Sequence, residues 1–347
     1  MAATSLPQPR TPDPMDAPPL RWGVLGPGWI ASEFVAALQH GTRQRVVAAG
    51  SRDLGRAQQF ADRFGGFAAY GSYEELVAAP EVDVVYVASP HSEHHEHARL
   101  ALEAGKHVLV EKAFTRNRAE AREVINLARL RGLFCMEAMW ARFLPHYDIV
   151  RRAVEDGVLG RLQTVVADHG QRLYPDGPER LTSPDLAGGA LLDLNVYPIS
   201  FAAMVIPQIA SVHASGTLTD EGVDAQEVVA LIGESGETAA CISTMTAQTA
   251  NTAVVAGDSA RIEIDGWFYQ PNTVRLVATG GEELDRWEPA PDDRDHGLRH
   301  EAAEVARCIS EGRHESALMP WEETLRVMGV MDEVRRQLGV VFPGEQA

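Results

Sequence analysis

Arg21-Trp22-Gly23-Val24-Leu25-Gly26-Pro27-Gly28-Trp29-Ile30-Ala31 is the stretch that decides the fold. A short apolar run, read as a strand over Leu20–Leu25, breaks at Gly26 and gives way to a helical pattern through Ala37 and Leu38. Strand, glycine turn and helix together are the setting of the GxGxxG/A fingerprint for a dinucleotide. Gly26 allows the turn, Gly28 lets backbone approach a pyrophosphate, and Ala31 lets helix and strand pack closely. Trp29 and Ile30 open the helix, whose first N–H groups and positive dipole end suit phosphate.

Reading outward, the next strand, Arg45–Gly50, ends in Ser51-Arg52 where an NAD site would want a carboxylate for the ribose. A hydroxyl and a guanidinium suit a 2′-phosphate, so NADP is expected, with NAD as the alternative. Asp53 is read as the N-cap of the following helix. Further short apolar runs, at Val82–Ala88, after Gly105 up to Glu111-Lys112, and at Leu133–Met139, read as strands buried on both faces of a parallel sheet. Ligands of such sheets bind beyond the strands' carboxyl ends. That rim carries Ser89, His91 and His94 after one strand, Glu111-Lys112 after the next, and Trp140 with Arg142 after the last. A charge closing an apolar strand is costly unless it is paired or used. His91 and His95 share a helix face, but no third ligand is placed, so no metal is expected.

After residue 142 the βα alternation stops, and strands near Leu162–Asp168, Ala210–Thr219, Gln226–Gly233, Glu237–Thr246 and Thr252–Ala256 follow. Gly233-Glu234-Ser235-Gly236 is a hairpin signal, so this sheet is expected to be open and mostly antiparallel. The expected fold is α/β, a Rossmann dinucleotide-binding domain over residues 20–142 followed by an α+β substrate-binding and oligomerisation domain over 143–347. Residues 1–19, rich in proline and without an apolar core, are read as a disordered tail.

Composition narrows the partners. The 347 residues are 45% hydrophobic and 23% charged, ordinary for an enzyme-sized chain. A net charge of −18 argues against extended binding to nucleic acid or anionic membrane. No run approaches the roughly 18 consecutive apolar residues of a membrane span. Cys135, Cys241 and Cys308 are far apart and form no CxxC pair, which fits a reducing, cytoplasmic setting.

Gly188-Gly189-Ala190-Leu191-Leu192-Asp193-Leu194-Asn195-Val196-Tyr197-Pro198 completes the informative set, with Asp193 and Tyr197 spaced i, i+4. From Gly26-Pro27-Gly28 through Val110-Glu111-Lys112 to Leu191-Leu192-Asp193 the chain resembles the Gfo/Idh/MocA oxidoreductases. Met136–Phe143 and the Asp193–Tyr197 spacing are most similar to its branch of dimeric dihydrodiol dehydrogenases and NADP-dependent D-xylose 1-dehydrogenases. The resemblance implies that Lys112 is the lysine of the family's EKP motif, Asp193 the acid of its Asp-x-x-x-His/Tyr motif, and Tyr197 the acid/base. Ala113 stands where a proline usually follows the lysine, Asn195 where a glycine is frequent, and His169 where relatives place an aromatic wall.

The implied activity is an NADP-dependent dehydrogenation of CH–OH, or of the CH–CH unit of a trans-dihydrodiol. A tyrosine is a poor base near its ordinary pKa of about 10, and a neighbouring lysine cation favours its phenolate. Trp140, His169, Tyr197 and Trp267 are expected to face the substrate, an uncharged sugar, polyol or cyclic diol. His296 and Arg299 are further candidate contacts. The competing function is a non-catalytic NADP-binding sensor. Alternating stretches such as Ala239–Met245 give the second sheet a semi-apolar open face, so a homodimer or homotetramer is expected.

Overall fold

The computed structural model describes residues 5–291 and 296–345. They divide into two compact units, one of Pro12–Phe143 with Asp295–Met328, the other of Met1–Thr11, Leu144–Arg294 and Gly329–Ala347. The chain first leaves the first unit after Phe143 and returns to it for residues 295–328, a return that sequence patterning did not reveal.

In the first unit, β1 (Arg21–Leu25), β2 (Arg45–Gly50), β3 (Ala68–Tyr70), β4 (Val84–Val87), β5 (His107–Glu111) and β6 (Cys135–Ala138) form one sheet. Its order is β3-β2-β1-β4-β5-β6, and every pairing is parallel. Strands β4 and β6 are buried at every residue, as a sheet covered on both faces requires. The order reverses between β1 and β4, which opens a crevice at their carboxyl ends. The returning segment seals one flank. Ala303 and Ala306 of the helix Arg299–Ser310 pack on Ala17, and the Trp321 indole donates to the Cys135 carbonyl at 2.8 Å.

The second unit is built on β7 (Leu162–Gly170), β8 (Ile209–Leu218), β9 (Asp224–Gly233), β10 (Thr238–Thr244), β11 (Ala253–Gly257), β12 (Ala260–Ile264), β13 (Val274–Ala278) and β14 (Glu283–Trp287). The order is β14-β13-β12-β11-β7-β10-β9-β8, with β7–β10 parallel and the other neighbours antiparallel. The β9–β10 hairpin turns where expected, with Gly236 at φ +95°. Strand β7 runs two residues beyond the expected Asp168, which puts His169 on the strand itself. One face of the sheet packs under the helix Val196–Val205, which is apolar all round and nearly wholly buried. On other positions of these strands Val166, Leu218 and Val228 stay exposed.

The segment read as a disordered tail is ordered from Ser5 onward; residues 1–4 lie outside the described ones. In the second unit Leu6 is buried, its N–H donates to Asp285 at 2.8 Å, and the Arg10 N–H donates to Asp148 at 2.7 Å. In the first unit Pro14–Asp16 form a single 3-10 turn capped by Asp13, and Ala17 is fully buried. Prolines make this ordering cheap: they have few conformations to lose and no N–H to satisfy.

Candidate active site

The first unit carries the cradle. At Gly26, φ is +90°, and a Cβ there would stand 3.0 Å from the Ala88 carbonyl oxygen. A Cβ at Gly28 would meet nothing within 4 Å, so this is the open side of the turn. Gly28 caps the 13-residue helix Trp29–Gly41 without any side-chain hydrogen bond, leaving the first-turn N–H groups around Trp29 and Ile30 for an anion. The turn therefore fits a dinucleotide pyrophosphate.

Ser51 is buried, and its hydroxyl accepts from the Asp53 N–H at 3.2 Å. Asp53 in turn caps the next helix through the Gly55 and Arg56 N–H groups, which confirms its structural role. Burial raises the Tyr73 phenol pKa, while the charges of Arg52 and Arg56 act to lower it. Both guanidiniums therefore act on Tyr73, the first residue of the helix Tyr73–Ala78. Arg56 escaped the sequence reading, although its i, i+4 spacing from Arg52 is a usable signal. Tyr73 also rests edge-on against His97, whose Nδ1 lies 2.9 Å from the Ser89 hydroxyl.

At the end of β5, Tyr86 donates its hydroxyl to Glu111, whose other oxygen accepts from the Lys112 N–H at 3.2 Å. Lys112 is half-buried and the Lys112–Ala113 peptide is cis. The buried ring of His94 spans the next layer, with Nδ1 2.9 Å from the Ala113 carbonyl and Nε2 2.8 Å from the Ser89 carbonyl. Two carbonyls favour a proton on each nitrogen, but burial outweighs them and pulls its pKa down to about 4. The neutral ring donates to one carbonyl at a time, so His94 ties the ends of β4 and β5 together rather than acting as a base. His91 is buried beside it, ring centroids 5.6 Å apart. His95 pairs with Glu123 and Glu96.

The other expected contacts of this unit have partners of their own. Arg142 is buried in an ion pair with Glu323, so its guanidinium is committed to a structural partner as well as lying near the rim. Trp140 is half-buried in the 3-10 turn Trp140–Phe143. His296 stacks on His40 at 4.0 Å, and Arg299 packs against Gly41. These contacts lie at the C-terminal end of the helix that Gly28 opens, about 18 Å from that glycine by helix rise.

The second unit carries the other half of the predicted chemistry. Leu191–Asn195 form a π-turn that runs straight into the helix Val196–Val205, so Asp193 and Tyr197 sit on one continuous element. Asp193 is buried and accepts from Arg180 at 3.0 Å. The Tyr197 ring stacks on Tyr269 at 4.6 Å and meets His169 edge-on at 5.4 Å, while His169 lies 4.3 Å from Tyr269. Trp267 stands edge-on to Tyr269 at 6.0 Å, half-exposed, at φ +63°, an unfavourable conformation for an indole-bearing residue. Its neighbour Phe268 is fully buried against Phe201 and is packing. Arg180, Gln171 and Tyr269 were missed: Arg180 reaches Asp193 from the short helix Glu179–Thr182, and Gln171, two residues past His169, gains its meaning only from Tyr269, 98 residues on.

Beneath the π-turn lie two buried carboxyls. Asp224 accepts from the Leu191 N–H; Glu227 accepts from Asn195 at 2.9 Å and from the Ser243 hydroxyl. Burial raises both pKa values, that of Asp224 to about 6. Asp224 has backbone N–H donors at Leu191 and Ala190 to stabilise its charge, so Glu227 is the partner that keeps its proton.

Residues 20–139 match the oxidoreductase family with an NAD-binding Rossmann fold, and residues 147–263 match the GFO/IDH/MocA C-terminal domain. The chain is 36% identical to a D-xylose 1-dehydrogenase (NADP(+)) of Hypocrea jecorina, covering 93% of both chains. It is 38% identical to a trans-1,2-dihydrobenzene-1,2-diol dehydrogenase of Macaca fuscata fuscata, over 94% of this chain and 99% of that one. Among solved structures, a 3-ketoreductase of Actinomadura kijaniata in complex with NADP and TDP-benzene superposes with a TM-score of 0.80 at 30% identity, over 92% of this chain and 98% of that one.

The protonated state of Glu227 has a measurable sign. Its folded pKa lies well above that of the unfolded chain, about 4.3. Its contribution is therefore most favourable below that value and is lost as pH rises toward the folded pKa. Glu227→Gln keeps an acceptor for Asn195 and Ser243 and removes the ionisation. Relative to the parent it should gain stability at pH 8 compared with pH 4.5, as read by urea melts at both. An unchanged difference at the two pH values would show that Glu227 is ionised in the folded protein.

Proposed function

Since the chain belongs to the Gfo/Idh/MocA family of oxidoreductases, we propose that it is an NADP-dependent dehydrogenase acting on the carbinol of an uncharged sugar, polyol or cyclic diol. The observations that carry this reading are the ordered set Asp193, Tyr197, His169 and Trp267 within the second unit and, within the first, Lys112 just past the end of β5. A sensor that only bound NADP would need the cradle and none of these.

Gly26, Gly28, Trp29 and Ile30 would hold the pyrophosphate and Ser51 with Arg52 the 2′-phosphate, with Ser89, His91, His94, Glu111, Trp140 and Arg142 shaping the rim. Bound there, NADP supplies the acceptor for the hydride that leaves the carbinol carbon. Tyr197 takes the hydroxyl proton as general base. The Lys112 ammonium stabilises the charge that develops on oxygen. Asp193, fixed by Arg180, holds the polar side of the site, and the paired charge of that guanidinium favours an uncharged substrate. Trp140 and Trp267 offer flat faces to a sugar or diol ring.

We also propose a homodimer or tetramer formed through the open sheet face, on the strength of Val166, Leu218 and Val228 exposed there. A cytoplasmic location is supported by three buried, unbridged cysteines.

Tyr197→Phe should lower kcat by about 10² to 10⁴-fold with an NADP dissociation constant close to the parent's, and Lys112→Met should do comparable damage. Turnover of Tyr197→Phe within a few-fold of the parent would end this mechanism. Arg52→Ala should weaken NADP by about 1.5 to 3 kcal/mol while sparing NAD, measured by fluorescence titration; equal losses would remove the 2′-phosphate assignment. Light scattering at micromolar concentration should give a dimer or tetramer mass, and a monomer mass refutes the assembly.

A further inference from the structure

Tyr269 is absent from the chemistry above, yet its hydroxyl is held by a side chain of the same aromatic cluster. Its phenolic oxygen accepts from the Gln171 side-chain amide at 3.3 Å. The same amide nitrogen lies 2.8 Å from His169 Nε2, and His169 Nδ1 lies 3.1 Å from the Leu194 carbonyl oxygen. A carbonyl only accepts, so Nδ1 carries the hydrogen and Nε2 accepts from Gln171. The donor directions of the chain are thereby fixed, from Gln171 outward to both Tyr269 and His169, and from His169 to Leu194. Leu194 sits between Asp193 and Tyr197, so the chain ends on the element that carries the acid/base pair.

Two consequences follow for Tyr269. Its oxygen has received a hydrogen bond, and among the described residues no acceptor is placed for the hydrogen it owns. Burial and the charge of Asp193 raise its pKa, so it is a neutral phenol with a hydrogen to donate at ordinary pH. Its ring stacks on that of Tyr197 at 4.6 Å, with an interplanar angle of 29°, so Tyr269 packs directly against the side chain assigned as the base.

Resting on the dehydrogenase reading, we propose that Tyr269 is a specificity residue that donates its phenolic hydrogen to the hydroxyl next to the carbinol being oxidised, so that the site selects vicinal diols. The substrate class is then aldoses with a free 2-hydroxyl and cyclic 1,2-diols, and isolated secondary alcohols are poor substrates. A buried donor left without an acceptor is what penalises the analogue that lacks the second hydroxyl. Gln171 and His169 are positioning residues for that donor, which gives the histidine at the family's aromatic-wall position a purpose.

The test uses the intact protein with NADP and two substrate pairs, D-glucose with 2-deoxy-D-glucose and trans-1,2-cyclohexanediol with cyclohexanol. For a pair the parent turns over, kcat/KM should favour the diol by about tenfold or more. Tyr269→Phe keeps the stacked ring and should bring that ratio to within about twofold of one, chiefly through loss on the diol. Gln171→Leu should lower the ratio several-fold while leaving both rings in place, and it decides the matter if the Phe variant does not fold. A ratio in either folded variant equal to the parent's overturns the specificity role and leaves the dehydrogenase reading standing. No NADP reduction by the parent with any of the four compounds overturns both.

Discussion

A carboxylate taken out of water has to be answered by donors, and the candidate acid/base element is organised around one such debt. Asp224, buried on β9, draws the N–H groups of Ala190 and Leu191 onto itself. Those amides open the π-turn, and Gly189 just before them has φ +121°, with a Cβ there falling 2.3 Å from an Asp224 oxygen. The second glycine of Gly188-Gly189-Ala190 is therefore required twice, by its dihedral and by the carboxylate against it. Everything downstream inherits its position from this contact: Asp193 toward Arg180, Leu194 toward His169, Asn195 toward Glu227, and Tyr197 toward Tyr269.

Asn195 shows how a departure from a family pattern is absorbed. A glycine at this point needs no side-chain partner, whereas a buried carboxamide does. Here its nitrogen donates to Glu227, which also receives Ser243, so the replacement comes with a polar floor built from β9 and β10. The same logic holds at the end of β5, where Glu111 accepts from Tyr86 and from the Lys112 backbone, and at Glu137, which accepts from the Phe114 N–H at 3.1 Å and is pushed up to about 7 by burial. Acids under the turns, not the turn residues alone, set where the functional side chains point.

What the sequence disclosed follows from how local each signal is. The helix Arg118–Arg131 has ends of a chemical kind that a sequence displays, Asn117 capping the Glu120 N–H and Gly132 closing at φ 63°. Strand β2 was legible because a run of small and β-branched residues ends in glycine. The cradle at Gly26 and Gly28 is a contiguous motif, and Lys112, Asp193 and Tyr197 are carried by short ones. Strands β13 and β14 were not foreseen, since short strands carrying Arg275, Asp285 and Arg286 at and next to the sheet edge alternate too weakly to stand out. Tyr269, Gln171 and Arg180 were not foreseen because their meaning lies in contacts about 13 to 98 residues long. Arg142 was read as a rim cation, and only the fold reveals Glu323 at 181 residues' remove.

The interleaving of the two units along the chain bears on how the molecule is made. The parallel sheet is complete in sequence by Ala138, yet its flanking helix Arg299–Ser310 and the Trp321 anchor come from a segment ending at residue 328. The second unit is held open longer still. It opens with Leu6, its strand β7 waits for β10 and β11 on either side, and its last contacts include Gln337, which reaches the β8 backbone at 2.8 Å. During synthesis, each unit therefore spends most of the chain's translation time lacking a piece that only the far end supplies. Nascent β7, with apolar residues and both edges unsatisfied, is the surface that a ribosome-associated chaperone would have to shield.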